Sequence, residues 1–207
     1  MRLVIVDYGS GNLRSVAQGL ARVGVSSEIS RDPGEVAEAT HLIVPGVGAF
    51  SDCMKQLDAR GLIAPIRTAI DRGRPYLGIC LGYQILFSEG TESGFCRGLD
   101  ILPGQVVRFP DSIRKVPHIG WNTIKKKSDL EAPLFSGIPD GAYFYFVHSY
   151  YPVPTHFEDV ATTTAYGVSF ASSIARGRLF GCQFHPEKSQ AVGLRLLRNF
   201  AELPSVD

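Results

Sequence analysis

Four short strand candidates alternate with longer segments of helical spacing in the first eighty residues, and that alternation leaves few folds open. Leu3–Val6, Ser27–Ser30, Leu42–Pro45 and Tyr76–Cys80 read as strands, and roughly 12–24 and 50–73 carry helical patterning. Strands separated by helix-length segments predict a parallel sheet with helices on both faces. From about residue 99 the texture changes. VVRF, HIGWNTI, YFYFVHSYY, VATTTAY, VSFASSIA and LFGCQF follow one another between Pro, Gly and Asp turns, and predict antiparallel strands joined to the same sheet. Gln190–Leu203 restores helical spacing, with Leu194, Leu197 and Phe200 on one stripe. The expected fold is therefore α/β, with a mixed, mostly parallel central sheet and antiparallel strands in the C-terminal half.

Size and charge narrow the class. A length of 207 residues suits one domain, 1–207, with a real core. With 44% apolar residues, 20% charged residues and a formal charge of +1, nothing suggests a nucleic-acid or membrane-surface partner. The first apolar run breaks at Asp7, too early for a signal segment and too short to span a bilayer. Cys53, Cys80, Cys96 and Cys182 form no C-x-x-C pair and no metal-ligand spacing, so no metal or cofactor is expected, and reduced thiols in a cytoplasmic protein are the default. Lys125–Lys127 reads as a solvated turn.

One segment carries chemistry. Gly78-Ile79-Cys80-Leu81-Gly82 has the form G-x-C-x-G, with a strand before it and an expected helix, Tyr83–Ser88, after it. This is the thiol counterpart of a nucleophile elbow, in which flanking glycines let strand and helix crowd together around one exposed side chain. A helix N-terminus there would favour the thiolate. The alternative is a small buried hydrophobe at a tight joint.

A nucleophilic cysteine needs a base, and the base needs a partner to orient it. Of His41, His118, His148, His156 and His185, the last stands out, in Gln183-Phe184-His185-Pro186-Glu187 directly after a strand. Residues i and i+2 of an extended segment point the same way, so Glu187 can hold the His185 imidazole in one tautomer. His41 and His156 read as incidental. A cysteine peptidase, a thiol-redox protein and a non-catalytic binding module remain open on these residues alone.

The elbow and the late H-P-E resemble the class I, triad-type glutamine amidotransferases. DYGSGNLRSV (7–16), PGVGAF (45–50), PHIGWN (117–122), FYFVHSYY (144–151) and FGCQFHPEKSQ (180–190) resemble, more narrowly, the glutaminase subunits of imidazole glycerol phosphate synthases, over essentially the whole chain. Tyr83 departs from the pattern, since many members carry Met there. The resemblance implies a flavodoxin-like sheet and hydrolysis of the L-glutamine side-chain amide by Cys80, His185 and Glu187. It implies an oxyanion hole from Leu81 and the Val47-Gly48 loop, and reading of the substrate's α-amino acid end by Gln84, Glu92, Ser149 and Tyr150. It also implies a receiver for ammonia, because the chain has no phosphate-cradling or dinucleotide motif and no length for a synthase domain. That receiver would be a (β/α)₈-barrel cyclase subunit, docked through Asn12, Trp121, Asn122, Lys188 and Ser189. An amidotransferase paralogue serving a different synthase, such as a sugar-modifying enzyme, is the alternative.

Overall fold

The computed structural model describes residues 1–92, 94–113, 115–128 and 132–205. The strands are β1 (Leu3–Val6), β2 (Glu28–Ser30), β3 (His41–Gly46), β4 (Tyr76–Cys80), β5 (Phe87–Gly90), β6 (Cys96–Arg97), β7 (Leu102–Arg108), β8 (His118–Thr123), β9 (Lys125–Lys126), β10 (Tyr143–His148), β11 (Tyr150–Pro154), β12 (Val160–Tyr166), β13 (Val168–Arg176) and β14 (Leu179–Cys182). The helices are α1 (Leu13–Arg22), α2 (Pro33–Glu38), α3 (Phe50–Ala59), α4 (Ile63–Asp71), α5 (Leu81–Gln84) and α6 (Gln190–Ala201).

An eight-stranded sheet runs β2-β1-β3-β4-β14-β13-β12-β9. The first five strands are parallel neighbours, and β13, β12 and β9 continue antiparallel. Both faces are buried. Leu3 and Ile5 of β1 join one core with α1 and α6, while Val4 and Val6 join the other with α3 and α4. That two-sided burial is why β1, β3 and β4 read as apolar runs, whereas the edge strand β2 leaves Glu28 and Ile29 exposed and does not.

Several expectations need correction. Not every late strand joins the main sheet: β8 and β10 form a two-stranded sheet, and β11, β7, β5 and β6 a four-stranded one. Residues 50–73 form two helices, because Gly61 takes φ +65° and ends α3, with Leu62 N–H donating to Leu57 O and Gly61 N–H to Asp58 O. The helix after the elbow is only Leu81–Gln84, and Phe87 already begins a strand paired with β7. The run through Leu86 and Phe87 is buried on all sides, so its periodicity could not choose between helix and strand. Lys125 and Lys126 are not a free turn either. They pair with Thr163 and Thr162 at the sheet edge, where lysines discourage further strand pairing. In α6, Leu197 and Phe200 are fully buried beside Leu196, whereas Leu194 is half-buried.

Candidate active site

Parallel register assembles the site. Gly46 lies opposite Cys80, and Cys182 opposite Ile79, so the Pro45–Gly48 loop, the elbow and the Gln183–Ser189 turn leave the sheet side by side at its carboxyl edge. That edge is where open α/β sheets bind ligands.

Cys80 adopts φ +54° and ψ −105°, a conformation costing on the order of 1–3 kcal/mol for a residue with a side chain. The flanking glycines make the bend sterically possible, since a Cβ at Gly82 would collide with Val44 O and one at Gly78 with Gly82 O. With a single-turn helix behind it, the elbow lacks the macrodipole expected from the sequence. Side chains surround the sulfur instead.

His185 is the first of these. Its Nδ1 bonds Glu187 Oε1 at 2.8 Å, with the imidazole 2% and the carboxylate 0% exposed. Nδ1 thus carries the proton, and Nε2 has no hydrogen-bond partner among the described residues. Burial opposes a charged imidazole, but the neighbouring Cys80 and Glu187 outweigh it and raise the His185 pKa to about 10. The turn is stapled to β10: His185 N–H donates to Tyr145 O at 2.9 Å, Ser189 Oγ to His185 O at 2.6 Å, and Tyr145 N–H to Ser189 Oγ at 3.0 Å.

A cleft of about 240 Å³ opens over Cys80, lined by Val47, Gly48, Leu81, Gln84, Glu92, Val147, His148, Ser149 and Tyr150. Its size suits a free amino acid rather than a drug-sized ligand. Every oxyanion and substrate residue expected from the sequence is on this wall. Glu92 Oε2 accepts from Phe50 N–H at 2.9 Å, which fixes the carboxylate at the start of α3. Gln84 spends its Nε2 inside the protein, donating to Tyr150 O at 2.9 Å and Gln183 Oε1 at 3.0 Å, so only its Oε1 is left for a ligand. Val47 O accepts from Ser10 Oγ at 3.0 Å, and Gly48 takes φ +99°. Tyr83 is fully buried against Gly181 and donates to Ala171 O, away from the cleft.

The expected docking residues separate into two groups. Trp121 is 47% exposed and Lys188 is exposed, and both flank Tyr145: the Trp121 ring is 6.2 Å away and Lys188 Nζ lies 5.7 Å from the ring centre. Ile119 and Tyr143 extend this apolar strip along the outer face of β8 and β10. The other three turn inward. Ser189 is buried, Asn122 Nδ2 donates to Ala165 O, and Asn12 Nδ2 donates to Glu187 Oε1 at 3.2 Å. Asn12 therefore buttresses the triad, because a buried carboxylate needs donors.

Two features escaped the sequence reading. Gln183, in the bend that follows β14, donates from Nε2 to Cys80 Sγ at 3.5 Å; the extended segment expected over 183–187 is instead this bend and a one-turn 3-10 helix, Pro186–Lys188, from which Glu187 meets His185. His118 and His148 form a buried pair, Nδ1 to Nε2 at 3.0 Å, and His148 Nδ1 bonds Tyr150 O at 2.8 Å. Only the tertiary fold brings that pair together. Among the described residues, no cluster of three His, Cys, Asp or Glu side chains could hold a metal.

Comparisons with known proteins agree with this geometry. The protein named imidazole glycerol phosphate synthase subunit HisH from Moorella thermoacetica is 55% identical over 201 residues, covering 97% of this chain and 94% of that one. The Syntrophotalea carbinolica protein of the same name is 51% identical over 209 residues, covering 97% and 100%. In fold, PurLQS from Thermotoga maritima superposes with a TM-score of 0.73 at 17% identity, over 97% of both chains. A family model described as glutamine amidotransferase class-I matches residues 4–203. An elbow cysteine backed by a buried His–Glu pair, within a match that runs almost from end to end, places the chain in the class-I glutamine amidotransferase family.

Proposed function

We propose that the chain is the glutaminase subunit of an imidazole glycerol phosphate synthase in histidine biosynthesis, releasing ammonia from L-glutamine for a (β/α)₈-barrel cyclase subunit. The Cys80 sulfur attacks the side-chain amide carbon, and the C=O electron pair moves onto oxygen. Leu81 N–H and the Val47-Gly48 loop receive that oxyanion, each donor worth about 10²–10³ in rate. His185 passes its proton to the departing nitrogen, ammonia leaves, and a glutamyl thioester remains. Water then attacks the thioester, His185 takes up its proton, and glutamate is released. Glu92 suits the substrate ammonium, and the Ser149-Tyr150 backbone its other polar groups.

The observation that carries this reading is the Cys80–His185–Glu187 array beneath an amino-acid-sized cleft. Proteins named as HisH subunits match it at 51% and 55% of aligned positions over 97% of this chain, which supports the choice of synthase. The exposed strip of Ile119, Trp121, Tyr143 and Lys188 beside the triad suits a docked partner that would receive ammonia before it protonates. The test is reconstitution with a barrel cyclase and its nucleotide substrate. Wild type should form product from glutamine, and Cys80→Ala only from ammonium salts at raised pH. Product from glutamine in the Cys80→Ala pair would overturn the mechanism.

Glutamate release should also be low for the isolated chain and rise with cyclase plus nucleotide. Ungated hydrolysis would drain glutamine, and the Ser10-tethered Val47-Gly48 peptide offers a segment that can reorient at small steric cost. Equal rates alone, with cyclase, and with cyclase plus nucleotide would exclude gating.

A further inference from the structure

A carbonyl oxygen can only accept hydrogen bonds, and this settles the orientation of two side-chain amides in a row. Tyr150 O accepts from Gln84, so the Gln84 atom that touches it is the nitrogen. The same nitrogen meets Gln183, whose facing atom must then be the oxygen. Gln183 is 0% exposed and has one polar end left, its Nε2, which is aimed at Cys80 Sγ 3.5 Å away. His148 Nδ1 donates to the same Tyr150 O and holds the anchor in place.

We propose that Gln183 is a further catalytic residue, whose Nε2–H donates to the Cys80 sulfur and stabilises it as a thiolate, with Gln84 and the Tyr150 carbonyl as positioning groups. The proposal deepens the reading of Cys80 as nucleophile and rests on it. Hydrogen bonds to an ionised partner are roughly twice as strong as neutral ones, so the contact favours thiolate over thiol. It also acts twice in a turnover. Before attack it supports the charged sulfur. When water adds to the thioester and the C–S bond breaks, the bonding pair returns to sulfur, and the same N–H receives it. With no long helix behind the elbow, Gln183 and His185 supply what a helix N-terminus would otherwise provide.

The test is alkylation of Cys80 in the full-length chain by iodoacetamide across pH, followed on the Cys80 peptide by mass spectrometry so that the other three cysteines do not interfere. Gln183→Leu keeps the volume and removes the donor. At neutral pH its Cys80 alkylation should be about tenfold slower than wild type. At high pH, where the thiol ionises without help, the rate should return to the wild-type value. Gln183→Glu should be slower still at neutral pH, since it places an acceptor against the sulfur, and Gln84→Leu should show a smaller effect because Gln183 loses its orienting contact. Circular dichroism checks that each variant is folded. Superimposable rate–pH curves for wild type and both Gln183 variants would overturn the proposal, as would a slowing of equal size at every pH, which reports access rather than ionisation. Should Gln183→Leu fail to fold, the Gln183→Glu and Gln84→Leu curves decide. Glutamate release by wild type with its cyclase is measured in parallel: its absence would remove the glutaminase reading while leaving the alkylation result intact.

Discussion

His185 and the His118–His148 pair are buried to similar depth, at 1%, 3% and 7% exposure, yet their surroundings drive them to opposite charge states. His185 faces Glu187 and Cys80, and its pKa rises to about 10. His118 and His148 face one another within a shell of Phe109, Phe146, Tyr166 and Phe170, and burial lowers them to about 4 and about 3. Tyr166 and Phe146 stack on His118 with ring centres 4.0 and 4.8 Å away. Burial alone thus says little about a histidine's role; the partners decide. The charged one suits proton transfer, while the neutral pair provides a fixed tautomer that carries a hydrogen bond from β8 to the Tyr150 carbonyl at the cleft.

Glu187→Gln attacks the charged side of this contrast and carries the largest expected effect. Glutaminase turnover with cyclase should fall about 10²–10⁴-fold, because both the orientation and the charge of His185 suffer. NMR titration should show His185 losing its proton at lower pH than in wild type. Unchanged turnover would reduce Glu187 to a turn residue. Asn12→Ala should be milder: it removes one donor to the same carboxylate, worth about 1.5 kcal/mol, or roughly tenfold in kcat. The KM for glutamine should hold, because Asn12 is not among the residues that line the cleft. A change confined to cyclase affinity would instead make Asn12 a docking residue.

The two regions should also impose opposite limbs on stability. A histidine raised above its ordinary value of 6.5 contributes stability that is complete below that pH and is lost as pH rises through about 10. The lowered pair does the reverse, with stability intact above about 6.5 and lost as pH falls toward 4 and 3. Thermal denaturation across pH should therefore show both limbs in wild type. His185→Gln should flatten the alkaline limb, and His148→Gln the acid one. His148→Gln should show the smallest effect on activity, a few-fold loss through a looser Ser149-Tyr150 segment. Loss of both limbs in either variant would mean that the regions are not separable.

Much was legible in the residues themselves. β1 and β4 were readable because strands buried on both faces demand uninterrupted apolar runs, and both fall where those runs lie. Cys80 was readable because Gly78 and Gly82 allow a crossing that any Cβ would block. Glu187 was readable from its nearness to His185 in sequence, although it reaches the imidazole from a one-turn 3-10 helix rather than an extended segment. All of these are local constraints, written within a few positions of the residue they govern.

What tertiary structure alone decided were the contacts between distant segments. Whether Phe87 continued a helix or began a strand depended on β7 lying alongside. The inward turn of Asn12 depends on Glu187, 175 residues away, and the pairing of His118 with His148 on the antiparallel register of β8 with β10. Gln183 is directed at Cys80 because β14 lies parallel to β4, two strands separated by about a hundred residues of chain. Propensity and periodicity act between neighbours in sequence, whereas a hydrogen bond across the sheet exists only once burial of both faces has chosen which strands lie side by side.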